Sequence, residues 1–423
     1  MKPGRIARFL LLAALPCAAT AALAQENPFR LKPEARGTVC LDCHVDFEDT
    51  MKRAHVHTPA AAGDCADCHD PHASEHGKLL SFEPQRICLE CHGDMGAEGA
   101  HSAHDAVASG QCVTCHDPHA SEHENLLLAD ASELCSNCHA EIVSRVASNR
   151  FGHPPAEDDC LSCHDPHRST DSDSLLVTAE PSLCVTCHDT DAEAFGRQHL
   201  GYPVGEARCT SCHDPHGSNV GGILHDNVHA PVRDKMCRQC HADAEATTPL
   251  ALRSEGLTLC RGCHADTVNE ALLANRVHWP VVDDRACLNC HAAHASSEAG
   301  LLVEPMKPLC GSCHGDVQPG DDASLVTHAP VEEGLCTGCH APHASDHGFL
   351  LVEARGTELC GNCHEWREHS AHPIGPEVVD QRNPNLTVDC NSCHQPHASE
   401  HESFAHFETK RELCVQCHQQ YGR

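Results

Sequence analysis

Apolar residues in this chain fall in short clusters, and few recur with a helical or strand period. Doublets such as Leu79-Leu80, Leu175-Leu176 and Leu301-Leu302 stand between polar stretches rich in proline and glycine. That pattern predicts coil with brief apolar contacts. Two segments do carry a helical pattern, 265–275 (ADTVNEALLAN) and 141–148, and the alternation that would predict strands is missing. The one long apolar run, from Phe9 to Ala21, follows Lys2, Arg5 and Arg8 and precedes Ala22-Leu23-Ala24. Basic region, apolar region and A-x-A site together read as an export signal over residues 1–24, cleaved before Gln25. Cys17 lies inside it; Pro16 and the clean site downstream argue for a discarded residue over a lipid-modified one. No other stretch approaches the ~20 apolar residues of a membrane span. An exported chain with no span of its own is therefore expected.

Composition adds a difficulty. Only 2 Trp, 2 Tyr and 9 Phe are present among 423 residues, alongside 33 Cys and 40 His. So few large side chains cannot fill the interior of two or three domains. The fold class expected is mostly irregular coil with short α-helices, a repeat array with little or no β, wrapped around a core that side chains do not supply. The formal charge is −32, or −35 once the three basic residues of 1–24 are removed. Phosphate contacts need Lys and Arg, so nucleic acid is excluded as a partner; a basic protein partner is favoured.

One rule accounts for every cysteine but Cys17. Cys-x-x-Cys-His occurs sixteen times, with cysteine pairs Cys40 and Cys43, Cys65 and Cys68, Cys88 and Cys91, Cys112 and Cys115, Cys135 and Cys138, Cys160 and Cys163, Cys184 and Cys187, Cys209 and Cys212. The series continues with Cys237 and Cys240, Cys260 and Cys263, Cys287 and Cys290, Cys310 and Cys313, Cys336 and Cys339, Cys360 and Cys363, Cys390 and Cys393, Cys414 and Cys417. The adjoining histidines are His44, His69, His92, His116, His139, His164, His188 and His213, then His241, His264, His291, His314, His340, His364, His394 and His418. This is the attachment pattern of c-type haem. Two thiols three positions apart face one side of a helical turn and can form thioethers with both vinyl groups of one porphyrin. The next histidine then lies beneath the iron as proximal ligand. Zinc sites need no histidine after every second cysteine. Disulfides this closely spaced would make no long-range staples. Redox dithiols need a βαβ context the chain does not show.

On these motifs the whole chain after residue 24 resembles a multihaem c-type cytochrome of the doubled C-x-x-C-H group, and is loosely similar to the class-three cytochromes. The resemblance implies sixteen covalent haem c groups forming most of the core, and electron transfer as the activity.

The motifs are of two kinds. Eight follow an aliphatic residue (Val39, Ile87, Leu134, Leu183, Leu259, Leu309, Leu359, Leu413) and are called tails. The other eight, beginning at Cys65, Cys112, Cys160, Cys209, Cys237, Cys287, Cys336 and Cys390, are heads. Each head has a histidine upstream: His57, His104, His153, His199, His229, His278, His328 and His372. Seven heads carry another three places after the motif histidine: His72, His119, His167, His216, His294, His343 and His397. These fifteen are the expected distal iron ligands, with His225 as the sixteenth because the head at Cys237 lacks a downstream histidine. A proline usually intervenes before the downstream histidine and breaks any helix, so its ring should reach a different haem from its own. His76, His123, His347 and His401 are expected to be solvent-exposed. Met51, Met95, Met236 and Met306 stand at no constant offset from the motifs, which argues against methionine ligation.

Tail and head alternate until Cys209, where two heads adjoin across a connection containing Gly217, Gly221 and Gly222. This predicts a seam near residue 220 between two eight-haem halves, 25–220 and 221–423, against one continuous stack with a missing repeat. The function expected is long-range electron transfer, mostly through bis-histidine haems, in the periplasm or across the outer membrane to extracellular acceptors. Expected partners are donor cytochromes of the periplasm or inner membrane, an outer-membrane porin and an outer-surface cytochrome. The competing readings are a multihaem reductase with one open haem and a subunit of an extracellular cytochrome filament. A lysine in place of the motif histidine, as some reductases have, is absent from all sixteen motifs, and a tyrosine crosslink has only Tyr202 and Tyr421 to draw on.

Overall fold

The computed structural model describes residues 37–318, 324–365 and 372–422; the export signal and Cys17 lie outside them. Clustering of the chain gives two compact units, one of residues up to Asp94 with Ser109–Asp130, the other of Met95–Ala108 with the rest. The seam expected near residue 220 falls inside the second unit.

Short helical pieces dominate, as the sequence pattern predicts. The two kinds of motif have different local structure. Tails sit at the ends of short α-helices, for example Pro84–Leu89, Gly256–Arg261, Met306–Gly311 and Lys410–Val415. Heads are single 3-10 turns, such as Cys65–Asp67, Cys112–Thr114 and Cys237–Gln239. In both, the histidine N–H donates to the first cysteine's carbonyl, as in His44 to Cys40 at 2.9 Å and His69 to Cys65 at 3.0 Å. Of the two helices expected, one is Ala265–Leu273, and 141–148 is the end of Ala131–Ser148, which kinks at His139.

Strands, unexpected from the sequence, occur as small antiparallel ladders. Five consist of two-residue strands, pairing His55–Val56 with Ala120–Ser121, Ser102–Ala103 with Arg168–Ser169, Asn227–Val228 with Ala295–Ser296, Arg276–Val277 with Ala344–Ser345, and Val326–Thr327 with Ala398–Ser399. Phe151 and Ser218 form an equivalent bridge, and Val379–Asp380 pairs with Asn383–Thr387. Two residues show no usable period, which explains why the ladders were not legible.

The aliphatic doublets are not passive coil. In seven loops two consecutive residues, such as Lys78 and Leu79 or Phe349 and Leu350, take left-handed φ near 56°; Gly222 and Gly300 occupy the first place in two of them. The following residue bridges back to the motif histidine, as Leu80 does to His69 and Leu351 to His340. A serine two places after the downstream histidine closes each loop: Ser121 Oγ donates to the Leu127 carbonyl, and Ser345 Oγ to that of Leu351 at 2.6 Å.

Side chains supply almost no interior. Among the described residues the buried apolar ones are Ala120, Tyr202, Val268, Ala271, Ala286, Ala295 and Val388. No large side chain is fully buried, far below the close packing of an ordinary domain.

Candidate haem-binding sites

The site repeats, so one copy can be built up first. His69 belongs to the head at Cys65. Its Nδ1 is 2.9 Å from the carbonyl of Lys78, the first left-handed residue of the following loop. The other seven heads make the same bond nine or ten residues ahead: His116 to Asn125, His164 to Ser174, His213 to Gly222, His241 to Leu250, His291 to Gly300, His340 to Phe349 and His394 to Ser403. A carbonyl accepts only from a protonated Nδ1, so Nε2 keeps the lone pair a metal requires. The strained loop thus selects the tautomer.

Opposite His69 stands His119, their ring centres 6.1 Å apart and their planes within 11°. His119 comes from the next head along the chain, not from the motif of His69. Opposite the tail histidine His92 stands His57, also at 6.1 Å. Both distal histidines come from one ladder, because the N–H of His57 donates to the carbonyl of His119 at 2.8 Å. A single ladder therefore presents ligands to the head and the tail of one repeat.

This arrangement recurs. Head histidines His164, His241, His291 and His340 face His216, His294, His343 and His397 at 6.0 to 6.1 Å. Tail histidines His139, His188, His264, His314 and His364 face His104, His153, His229, His278 and His328 at 6.1 Å, and His418 faces His372 at 6.2 Å. The tail ligand lies 35 or 36 residues earlier in the chain, except in the last pair, where 46 separate His372 from His418. His167 takes its ladder place, its carbonyl accepting from the His104 N–H at 3.0 Å.

A spacing of 6 Å is too long for stacked or hydrogen-bonded rings. Two metal–imidazole bonds of about 2 Å, plus the distance from each nitrogen to its ring centre, span roughly 6 Å. The residues therefore fit an iron between each pair, with thioether-forming cysteines beside it. Burial holds His119, His213, His216, His294, His343 and His397 below the ordinary histidine pKa, and the neutral ring is the ligating form.

The C-H-x-P-H stretch can now be read atom by atom. The carbonyl of its proline lies 2.8 to 3.0 Å from Nδ1 of the ladder partner: Pro118 for His57, Pro215 for His153, Pro342 for His278 and Pro396 for His328. Ala293 does the same for His229, so the carbonyl matters and the ring only sets φ. Where the variable residue is aspartate, its Oδ1 accepts the N–H of the second histidine, as Asp117 does for His119 at 3.0 Å and Asp214 for His216 at 2.9 Å.

The fourth repeat departs from the rule. It has a head at Cys209 and no tail, and Ala244 stands where the next head would carry its downstream histidine. His199 faces His213 instead, at 6.3 Å. The ligand that would serve a tail serves the head.

Two histidine expectations are corrected. His225 faces no imidazole among the described residues: its Nδ1 is 3.0 Å from Ser297 Oγ and its Nε2 2.8 Å from the Thr210 carbonyl. Both nitrogens are engaged in fixing the loop, so neither is left for iron. His76, His123, His347 and His401 are half-buried rather than exposed, each donating its backbone N–H to the loop serine.

The two thiols of a tail motif differ in exposure. None of the described cysteines is joined in a disulfide. In the tails the first thiol, at Cys40, Cys88, Cys135, Cys184, Cys260, Cys310 and Cys360, is half-buried. The second, at Cys43, Cys91, Cys138, Cys187, Cys263, Cys313 and Cys363, is exposed. Except for Cys138, inside Ala131–Ser148, each of these second thiols lies just past the end of its short helix. The last tail reverses the order, with Cys414 exposed and Cys417 half-buried. The heads keep both thiols half-buried, the second ones being Cys68, Cys115, Cys163, Cys212, Cys240, Cys290, Cys339 and Cys393.

The half-buried first thiols show how consecutive motifs adjoin. The first cysteine of a tail lies beside that of the following head in Cys40–Cys65, Cys88–Cys112, Cys184–Cys209, Cys260–Cys287, Cys310–Cys336 and Cys360–Cys390. Burial, then mutual repulsion, push Cys88, Cys260 and Cys310 up to about 11 and Cys184 and Cys360 up to about 12. Thioether formation removes these ionisable groups from places that disfavour charge. Among the described residues only Glu180, Cys184 and Cys209 gather as three possible metal ligands. They join first cysteines of two motifs and leave Cys187 and Cys212 outside, unlike a four-thiol zinc site.

Repeated attachment turns, tautomer-fixed histidines and facing imidazoles together define a multihaem c-type cytochrome. The chain belongs to the doubled CXXCH motif family, which it matches over residues 57–97, 104–144, 153–193, 202–228, 229–269, 278–319, 328–369 and 383–422. Each match pairs a head with the tail after it, except 202–228, which holds the head at Cys209 alone. The first motif, at Cys40, precedes them all. No curated protein matches the chain. No described helix is long and apolar enough to cross a membrane.

Proposed function

We propose that the chain is an exported electron carrier that moves electrons over long distances through sixteen covalent haem c groups. The observation that supports it best is the continuity of the attachment points. From Cys163 to Cys417 the thiols of each motif lie within electrostatic reach of those of the next, including Cys212 and Cys237 across the double head. That favours one continuous stack through this region over two halves parted near residue 220. The haems would supply one-electron chemistry, at the low potentials that bis-histidine ligation gives relative to His/Met. The chain's own residues hold each proximal tautomer, present the distal ring and keep neighbouring attachment points adjacent.

The deciding experiment tethers the holoprotein to an electrode by its carboxyl terminus. All haems should charge in one fast sweep. Cys260→Ala with Cys263→Ala, which removes one mid-chain haem, should slow the charging of those before it. Equal charging in both proteins would refute the wire.

The role further suggested by an export signal, high haem content and acidic charge is a conduit seated in an outer-membrane porin, between periplasmic donors and an outer-surface cytochrome. Co-purification with an outer-membrane barrel would support that role, and recovery solely as a free periplasmic monomer would sink it.

A further inference from the structure

Distal ligands, His199 apart, come from another place in the array, so the rule can be followed to the first motif. A tail takes its ligand from a histidine 35 to 46 residues earlier. The places 36 and 35 residues before His44, the first tail, hold Arg8 and Phe9, neither of which can fill the role. The structure agrees with this count. His44 is exposed, and among the described residues no imidazole stands across from it. The neighbouring candidates are engaged elsewhere, His57 with His92 and His119 with His69. Among the described residues, other rings of this region that face no imidazole include His55, half-buried in the strand His55–Val56, and His72, whose side chain is 90% exposed, whereas the equivalent His119, His167 and His216 are 35%, 33% and 32% exposed.

We infer that the haem held by Cys40, Cys43 and His44 keeps one axial position open and binds a neutral diatomic ligand such as carbon monoxide or nitric oxide. This rests on the haem reading above. The surroundings select the ligand class. Asp42, Asp46, Glu48 and Asp49 lie within or just after the motif in sequence, while Lys52 and Arg53, among the described residues, are paired, Lys52 with Asp49 at 2.7 Å and Arg53 with Asp117 at 3.1 Å. Anions such as cyanide or nitrite therefore meet a repulsive field that a neutral diatomic does not.

The test is a carbon monoxide titration of the dithionite-reduced holoprotein, with covalent haem counted by intact mass. The expected result is one equivalent of carbon monoxide per chain. That equivalent should vanish in Cys40→Ala with Cys43→Ala, which carries one haem fewer, and persist in His72→Ala. Fully loaded protein that binds none would overturn the inference and leave the haem reading intact. So would an equivalent that survives loss of Cys40 and Cys43. Binding that appears only in His55→Ala or only in His72→Ala would also overturn it, by making that ring the missing ligand. Absence of covalent haem would instead end the haem reading itself.

Discussion

Replacing His119 by alanine tests whether a distal ligand serves another motif's iron. The substitution leaves the local backbone as it is: alanine still offers an N–H to Asp117 Oδ1 at 3.0 Å and a carbonyl to the His57 N–H at 2.8 Å. The ladder should persist, and with it the pairing of His57 with His92 at 6.1 Å. What is lost is the ring facing His69 and its edge contact with Phe47 at 4.7 Å. Aromatic contact and partial burial together amount to about 1–2 kcal/mol, too little to unfold the chain. One iron should therefore pass from low to high spin, seen in the electron paramagnetic resonance spectrum and as one additional equivalent of carbon monoxide bound on reduction. Its identity follows from combination. With Cys65→Ala and Cys68→Ala, which remove the haem of His69, the extra equivalent should disappear; with Cys112→Ala and Cys115→Ala it should remain. The reverse pattern would mean that His119 serves its own motif, and an unchanged spectrum that it serves none.

Ser121→Ala should destabilise the protein by about 1–2 kcal/mol, because it leaves the Leu127 carbonyl without its hydroxyl donor; a thermal midpoint unchanged from wild type would refute this account of the loop. The distal rings also set a pH dependence. The pKa values of His119, His216, His294, His343 and His397 are lowered from 6.5 by burial, so below 6.5 the unfolded chain binds more protons than the folded one. Stability from these rings is full above 6.5 and falls with pH through their folded values. With salt added to screen the acidic surface, the thermal midpoint should drop between pH 7.5 and 5, and a flat or rising midpoint would contradict the sign.

The attachment sites were legible because thioether chemistry ties cysteine and histidine into five consecutive residues. The unequal exposure of the two thiols in a tail, as in Cys88 and Cys91, was not, since it depends on which head the first thiol meets. The candidate distal histidines were legible as sets, one three places past the motif histidine and one upstream of each head at a less regular distance. Which ring serves which iron was not. The pairing of His69 with His119 spans two motifs and depends on a ladder of two residues, too short to leave a period. His225 shows the limit of counting: it was the preferred one of several spare rings, yet a serine hydroxyl and a backbone carbonyl occupy both its nitrogens. His199 was identified as a ligand, and its offset of 14 residues from His213 follows only once the missing tail and Ala244 are considered together.

The interlock also explains why the repeats need one another. A head and its tail receive both distal rings from a ladder that joins the stretch before the head to the next repeat. The repeat 57–97 is thus complete only when His119 arrives from 104–144. Stability in such an array is carried between neighbours, and each added repeat completes the irons of the one before it. A defect inside the array can be repaired locally, as His199 repairs the fourth repeat by turning to its own head. Before His44 the places 36 and 35 residues earlier hold Arg8 and Phe9, and no ring faces it among the described residues. The same rule that gives the inner tail histidines a facing ring therefore sets the first motif apart.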